Sequence, residues 1–166
     1  MISVATLECF THGKIGIKIH KMACGYKELQ NDFGYDIIRG NVLVTASMFL
    51  PSKESIESLL NMKLPKSDHE FKYSKAYNEE NDLKVAEYIS KALKEKLKCN
   101  IAISTTAGVG KGAISILTDK NSYLFTSDIY GNLIKGENIL KRQENAVNKA
   151  FEAFIKILNE EYNIKE

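Results

Sequence analysis

A short apolar run, Ile2-Ser3-Val4-Ala5-Thr6-Leu7, breaks into the polar stretch Glu8-Cys9-Phe10-Thr11-His12-Gly13, after which Ile15, Ile19, Met22 and Ala23 recur at helical spacing. The first run predicts a buried strand and the last an amphipathic helix, so the polar stretch falls where a strand hands over to a helix N-terminus. A strand that feeds straight into a helix commits the chain to a layered α/β fold. It also marks a place for chemistry. Free backbone N–H groups and the positive end of the helix dipole stabilise negative charge, either a thiolate at Cys9 or an anionic ligand. Thr11 is the expected N-cap, and Gly13 lets a ligand approach the backbone closely.

At 166 residues the chain is expected to form one domain over 1–166, with 44% hydrophobic residues to fill its core. The 23 basic and 21 acidic residues leave a net charge of +2, which does not point to a polyanion-binding surface, so nucleic acid is not an expected partner. No apolar run approaches the roughly 18 residues that span a bilayer, and Met1 leads into a strand with no charged leader, so neither a membrane segment nor export is expected and the location read from this is cytoplasmic. Cys9, Cys24 and Cys99 are odd in number, far apart and without a C-x-x-C pair, which predicts reduced thiols. Only Cys9, His12 and His20 cluster and no second ligand pair follows, which argues against a structural zinc site, and no residue is assigned as a metal ligand, although the spacing leaves room for a catalytic metal.

Further along, Cys24-Gly25-Tyr26 reads as a helix stop, and Val42-Leu43-Val44 as a second buried strand ending at Thr45-Ala46-Ser47-Met48. Hydroxyls just past a core strand either contact a ligand or cap the turn, which makes Thr45 and Ser47 candidates. A helix runs from Pro51 to Leu60, with Ile56, Leu59 and Leu60 on one side. Residues 65–81 lose their period and read as an exposed connection able to serve as a lid, with His69 a solvated loop residue. Asp82 to Lys98 is an amphipathic helix with Leu83, Ala86, Ile89, Leu93 and Leu97 inward.

Asn100 to Ser104 forms a third strand, and Thr105-Thr106-Ala107-Gly108-Val109-Gly110-Lys111-Gly112 follows it. A phosphate-binding P-loop requires Gly at Thr105, Ser or Thr at Gly112, and a helix afterwards, and none is present. Ala113 to Leu117 and Tyr123 to Phe125 instead flank a turn, which predicts a β-hairpin. The glycine loop either makes a tight strand connection or offers the amides around Gly108, Gly110 and Gly112 as an anion nest, with Lys111 adding charge and Thr105 and Thr106 beside it. Glu137 to Tyr162 is a closing helix with Leu140, Val147, Phe151, Phe154 and Leu158 inward. Arg142, in its first turns, runs against the helix dipole, which suggests a partner such as a ligand phosphate. The order of elements predicts a three-layer α/β/α sandwich with a mixed sheet.

Taken together, these segments resemble the C-terminal domain of the CinA proteins, whose better-known members are nicotinamide mononucleotide amidohydrolases. Ala5-Thr6-Leu7-Glu8-Cys9-Phe10-Thr11-His12-Gly13 is similar to that family's A-T-A-E-S-C-T-G-G, and Arg39-Gly40-Asn41-Val42-Leu43-Val44 to its R-G-G-V-V-A, which makes Arg39 a candidate contact. Ser104-Thr105-Thr106-Ala107-Gly108 with Gly112-Ala113-Ile114 resembles S-G-I-A-G followed by G-T-V. Cys9 stands where that family has its nucleophilic serine and His12 where it has a glycine. Its Tyr-Ser-Asn-Glu-x-x-Lys segment is replaced by Thr45 to Pro51, so the lysine that assists the serine has no clean counterpart, Lys53 being nearest.

The opening run from Ile2 to Gly16 more closely resembles a small family of methanogenic archaea, the HcgF family, linked to biosynthesis of the iron-guanylylpyridinol cofactor of Fe-hydrogenase. That resemblance implies a pyridinol whose carboxymethyl group is activated as an adenylate by a separate enzyme and then captured by a cysteine as a thioester, the matching position being Cys9. It implies a nucleotide-linked pyridinol as ligand or substrate with no permanently bound cofactor, and the pyridinol-adenylating enzyme as partner; a symmetric dimer is the expected assembly. A thiolate suits such capture, because it holds an acyl group without committing it to hydrolysis. His12 either deprotonates the thiol or caps the turn, and helix-start amides would serve an oxyanion. Glu8 opposes ionisation of the thiol unless it points away to hold a ribose or a backbone amide. Cys24 and Cys99 read as structural. The alternatives are a CinA-type amide hydrolase acting on a pyridine nucleotide and a non-catalytic scaffold in which Cys9 ligates iron.

Overall fold

A computed structural model describes residues 1–72 and 74–165. In its first half β1 (Ile2–Glu8) leads into α1 (Lys14–Ala23), then a 3-10 turn (Lys27–Leu29), α2 (Tyr35–Ile38), β2 (Val42–Phe49) and α3 (Lys53–Leu60). A small hairpin of β3 (His69–Phe71) and β4 (Ser74–Ala76) precedes the long α4 (Glu79–Leu97). The second half holds β5 (Ile101–Thr106), β6 (Val109–Gly110), β7 (Ala113–Leu117), β8 (Ser122–Phe125), β9 (Gly131–Asn132) and α5 (Ile139–Tyr162). The main sheet has the order β2-β1-β5-β7-β8. Its first three strands are parallel and its last two antiparallel, so the sheet is mixed, as the hairpin after the third strand requires.

Two apolar layers sandwich this sheet. On one face Ile15, Ile19 and Met22 of α1, Tyr35, Ile37 and Ile38 of α2, and Phe151, Phe154 and Leu158 of α5 pack against Val4, Ile101, Ile103, Ile114 and Ile116. On the other, Ile56 and Leu60 of α3 and Val85, Ile89 and Leu93 of α4 cover Ala5, Leu7 and Ala102. Strands buried on both faces read as near-continuous apolar runs, which is why β1 and β5 were legible without an alternating pattern. Gly16 sets the spacing of α1. A Cβ there would stand 2.3 Å from both Ser47 Oγ and Thr6 Oγ1, so only glycine lets the helix lie this close to the sheet.

Several boundaries differ from expectation. The strand expected over Val42 to Val44 continues to Phe49, because a bulge at Thr45 shifts the register from Val4↔Val44 to Ala5↔Ala46. A bulge reverses which residues face which layer, and this hides the strand from a period-two reading. α4 begins three residues before Asp82, and Asp82, Val85, Ala86, Ile89, Ser90 and Leu93 form its buried face; Leu97 is 37% exposed. In α5 the inward positions include Arg142, Gln143, Ala146 and Ala150, while Leu140 is 74% exposed. Ala86, Ile89 and Leu93 of α4 and Phe151, Phe154 and Leu158 of α5 point inward as the periodicity predicts; the edges of each face differ because polar residues occupy part of it.

Residues 65–72 and 74–81 are not an open connection; residue 73 of that stretch lies outside the described residues. Asp68 accepts the Asn78 amide at 2.8 Å and Asn81 Nδ2 at 3.0 Å, Ser74 bridges to Ser52, and the buried Tyr77 donates its hydroxyl to Pro65 O at 2.6 Å. These ties pin the β3–β4 hairpin over the end of the sheet, where strands of only three residues leave no readable period.

Candidate functional site

Cys9 is the first residue past β1, held between the ends of two neighbouring strands. Its amide donates to Thr105 O at 3.0 Å at the end of β5, and the Leu50 amide donates to Glu8 O at 3.1 Å just beyond β2. Carboxyl ends of adjacent parallel strands are where open α/β sheets place ligands. The Cys9 thiol is 8% exposed and donates to Leu50 O at 3.1 Å. Lys75 of β4, 5% exposed, brings its Nζ to 2.7 Å from Cys9 Sγ. An ammonium in that position stabilises negative charge on sulfur, and in its neutral form the same amine is a base for the thiol proton.

Glu8 turns away from this pair. Its fully buried carboxylate accepts Thr11 Oγ1 at 2.6 Å and the Ile15 amide at 3.1 Å on one oxygen, and Thr6 Oγ1 at 3.1 Å and the Gly16 amide at 3.0 Å on the other. Burial pushes its pKa up, although all four hydrogen bonds pull it down. Glu8 is therefore a cap built into the interior, holding backbone amides and not a ligand. Two expectations change with it. The N-cap position of α1 is Gly13, in the left-handed conformation at φ 76°, and the Thr11 hydroxyl instead joins Glu8 to Thr105 Oγ1 at 2.7 Å. The first amides of the helix are also taken, Lys14 and Ile17 by the carbonyls of Thr11 and Gly13, and Ile15 and Gly16 by Glu8. They do not face an oxyanion at Cys9.

His12 lies ahead of α1, not in its first turn, at φ 53°. Its ring packs on Phe49 with centroids 4.7 Å apart, and burial of that face, followed by the Lys14 ammonium, lowers its pKa. Among the described residues no hydrogen bond joins it to Cys9, although both line one cavity.

The glycine loop is not an empty nest. Asp82 accepts the Gly108 amide at 2.9 Å and Thr106 Oγ1 at 3.2 Å, and Glu79 accepts the Lys111 amide at 2.8 Å. The anions bound by this loop are thus the protein's own carboxylates from the start of α4. Gly108 is needed for contact, since a Cβ would stand 2.4 Å from Tyr77 O; the Lys111 side chain is exposed. Thr105 and Thr106 are buried inside these networks. Arg142 is 1% exposed and donates through one nitrogen to Gly108 O at 3.0 Å, Gly110 O at 2.8 Å and Gly131 O at 3.1 Å. Its position near a helix start is explained by these carbonyls. Asp82, beneath the loop, has its pKa raised to about 7 by burial, against the pull of the Gly108 bond, Lys75, Thr106 and Arg142.

Three candidates are not assembled here. Arg39 is exposed beside Tyr35, ahead of β2. Because β1 and β2 run parallel from Ile2↔Val42 to Glu8↔Phe49, it lies at the opposite end of the sheet, about 20 Å away at the rise of a strand. Thr45 forms the bulge and donates to Val4 O at 3.1 Å, and Ser47 packs beneath Gly16, both within β2 and not past its end.

What is assembled is a small cavity of about 90 Å³ over Cys9, with His12, Lys75 and Arg142 on its walls and Phe10, Pro51, Ala107, Leu133 and Ile139 supplying apolar surface. Among the described residues its lining carries two basic side chains, Lys75 and Arg142, and no carboxylate. Lys75 is the residue that the sequence reading missed, Lys53 having been the nearest apparent counterpart. The available signal was Ala76-Tyr77, an apolar pair that is out of place in a solvated connection.

The family model described as "HcgF: FeGP cofactor biosynthesis protein HcgF" matches residues 1–158. A UPF0254 protein of Methanococcus maripaludis strain C5 is 71% identical over 99% of this chain and 100% of its own length. One from Methanocaldococcus jannaschii is 52% identical over 98% of this chain and 99% of its own. Among solved structures, a competence or damage-inducible protein from Enterobacter asburiae superposes with a TM-score of 0.60 at 12% identity, covering 95% of this chain and 87% of that one. A CinA superfamily protein from Enterobacter cloacae gives 0.60 at 10% identity, covering 95% and 82%. The fold is CinA-like, as the order of motifs implied.

Proposed function

The chain belongs to the HcgF family of FeGP cofactor biosynthesis proteins, and from that premise we propose that Cys9 captures the activated carboxyl carbon of a nucleotide-linked pyridinol as a thioester. The observation that carries this reading is the 2.7 Å contact between Lys75 Nζ and Cys9 Sγ inside a cavity with no carboxylate among its described lining residues. Sulfur attacks the acyl carbon, the bond from that carbon to the adenylate oxygen breaks, and the nucleotide leaves as its phosphate anion. The thiol proton stays on Lys75, whose positive charge also favours approach of the anionic substrate. With the helix-start amides already bonded, stabilisation of the tetrahedral oxyanion falls to the Lys75 ammonium on the cavity wall.

A cavity of about 90 Å³ accepts the reacting carboxymethyl end and not a whole nucleotide conjugate. The remainder of the ligand would lie across the rim, where the His12–Phe49 aromatic pair offers a stacking surface. The adenylating enzyme would supply the substrate already activated.

Intact mass after incubation with the carboxymethyl pyridinol, ATP and the adenylating enzyme tests the reading. The expected result is an added mass equal to the pyridinol acyl group, absent in Cys9→Ser and removed by hydroxylamine. Ligand bound without covalent attachment would leave a scaffold role instead, and release of free acid on turnover would indicate a hydrolase.

A further inference from the structure

The Cys9–Lys75 pair has a second chemical capacity, independent of acyl capture. Sγ and Nζ stand 2.7 Å apart, both groups are nearly buried, and both line the same cavity, which leaves a small oxidant a route to the sulfur. The other thiols are remote. Cys99 precedes β5 and Cys24 follows α1, and the parallel pairing of Val4 with Ile101 puts Cys99 at the opposite end of the sheet from Cys9. A sulfenic acid formed at Cys9 therefore has no thiol to condense with, and its nearest nucleophile is the Lys75 amine.

We propose that Cys9 and Lys75 form a reversible covalent sulfur–nitrogen bond when a peroxide reaches the cavity, making the pair an oxidative modification site. In the first step the Cys9 thiolate attacks hydrogen peroxide. The O–O bond breaks, sulfur is oxidised by two electrons to the sulfenic acid, and the hydroxide released takes the ammonium proton from Lys75 as water. In the second, the Nζ lone pair attacks sulfur, the S–O bond breaks, and the departing hydroxide leaves with one of the two amine protons as a second water, the other staying on nitrogen. Sulfenic acids condense with nitrogen in this way, and the product is not open to further oxidation as a free sulfenic acid would be. The preset contact replaces a bimolecular encounter, so closure outruns a second peroxide. The bond blocks the nucleophile and fills the cavity floor, and a thiol reductant reverses it.

The test is hydrogen peroxide treatment of the full chain, read by intact mass and peptide mapping. The expected product is lighter by two hydrogen atoms, joins the peptides containing Cys9 and Lys75, and returns to the starting mass with dithiothreitol. Cys24→Ser keeps this product, whereas Lys75→Met and Lys75→Arg lose it and proceed to the sulfinic acid, heavier by two oxygen atoms. Direct formation of sulfinic acid in the wild-type chain would overturn the proposal. So would a mass loss that survives Lys75→Met, since that would be a disulfide.

Discussion

Lys75 Nζ and Cys9 Sγ meet at 2.7 Å although 66 positions separate the two residues in the chain. The contact exists because the β3–β4 hairpin folds back over the carboxyl end of β1, and the isolated bridge between Ser74 and Ser52 fixes where it lands. Lys75→Met is expected to slow acyl capture by Cys9 by about 10²- to 10⁴-fold, the usual range for losing a positioned acid or base. Lys75→Arg keeps the charge without an available base and should retain little of that rate. Single-turnover acylation, with ligand binding measured separately, checks this; equal loss of binding and rate would instead make Lys75 a binding residue.

Asp82 gives a pH dependence of stability whose sign follows from its burial. Its pKa rises from 3.8 to about 7 on folding, so the folded chain holds a proton that the unfolded chain releases. The stability associated with this proton is full below the unfolded value and is lost as pH rises through about 7. Urea unfolding from pH 4 to 8 should show wild-type stability declining across that window more steeply than Asp82→Asn, which has no proton to lose there. Parallel curves for the two proteins would contradict the assignment.

At Gly16 two effects oppose each other. Alanine gains about 1 kcal/mol of helix propensity over glycine. Its Cβ would stand 2.3 Å from Ser47 Oγ and Thr6 Oγ1, and overpacking costs about 1–3 kcal/mol, with Thr6 already committed to Glu8. The clash should win, leaving Gly16→Ala less stable by about 1–2 kcal/mol in denaturant titration. A stabilised variant would mean that α1 is free to lift off the sheet.

Arg142 and Arg39 should separate cleanly. Arg142→Met removes a donor from the Gly108, Gly110 and Gly131 carbonyls, of which Gly108 O keeps the Leu133 amide, at about 1–3 kcal/mol for a buried unsatisfied group, and should loosen the loop beside the cavity. Arg39→Ala touches an exposed side chain at the far end of the sheet and should shift stability by less than about 0.5 kcal/mol, with acyl capture unchanged. Thermal melts and the mass assay on both variants decide it, and loss of capture in Arg39→Ala would place the ligand elsewhere.

Glu8→Gln tests the interior cap. The carboxylate accepts four donors and an amide presents two hydrogens of its own, so one side must face a donor with a donor. A loss of about 1–3 kcal/mol is expected in denaturant titration, with reduced hydrogen-exchange protection at Ile15 and Gly16. Unchanged protection there would show that the helix start does not depend on Glu8.

Local pattern alone determined the layered architecture. The apolar runs of β1, β5 and β7, the turn before β8 and the amphipathic spans of α4 and α5 were legible because a strand or helix must bury one face whatever its partner. The cysteine at the strand-to-helix junction was legible for the same reason. What only the tertiary structure decided is where the polar side chains point. Glu8 turned inward to cap α1, the glycine loop was filled by Asp82 and Glu79 from another helix, Arg142 took three carbonyls, and Lys75 left an apparently solvated segment for the thiol. Apolar residues declare their burial by type. A charged or hydrogen-bonding side chain does not, because its burial is acceptable only once a partner distant in sequence satisfies it, and chain order carries no record of that pairing.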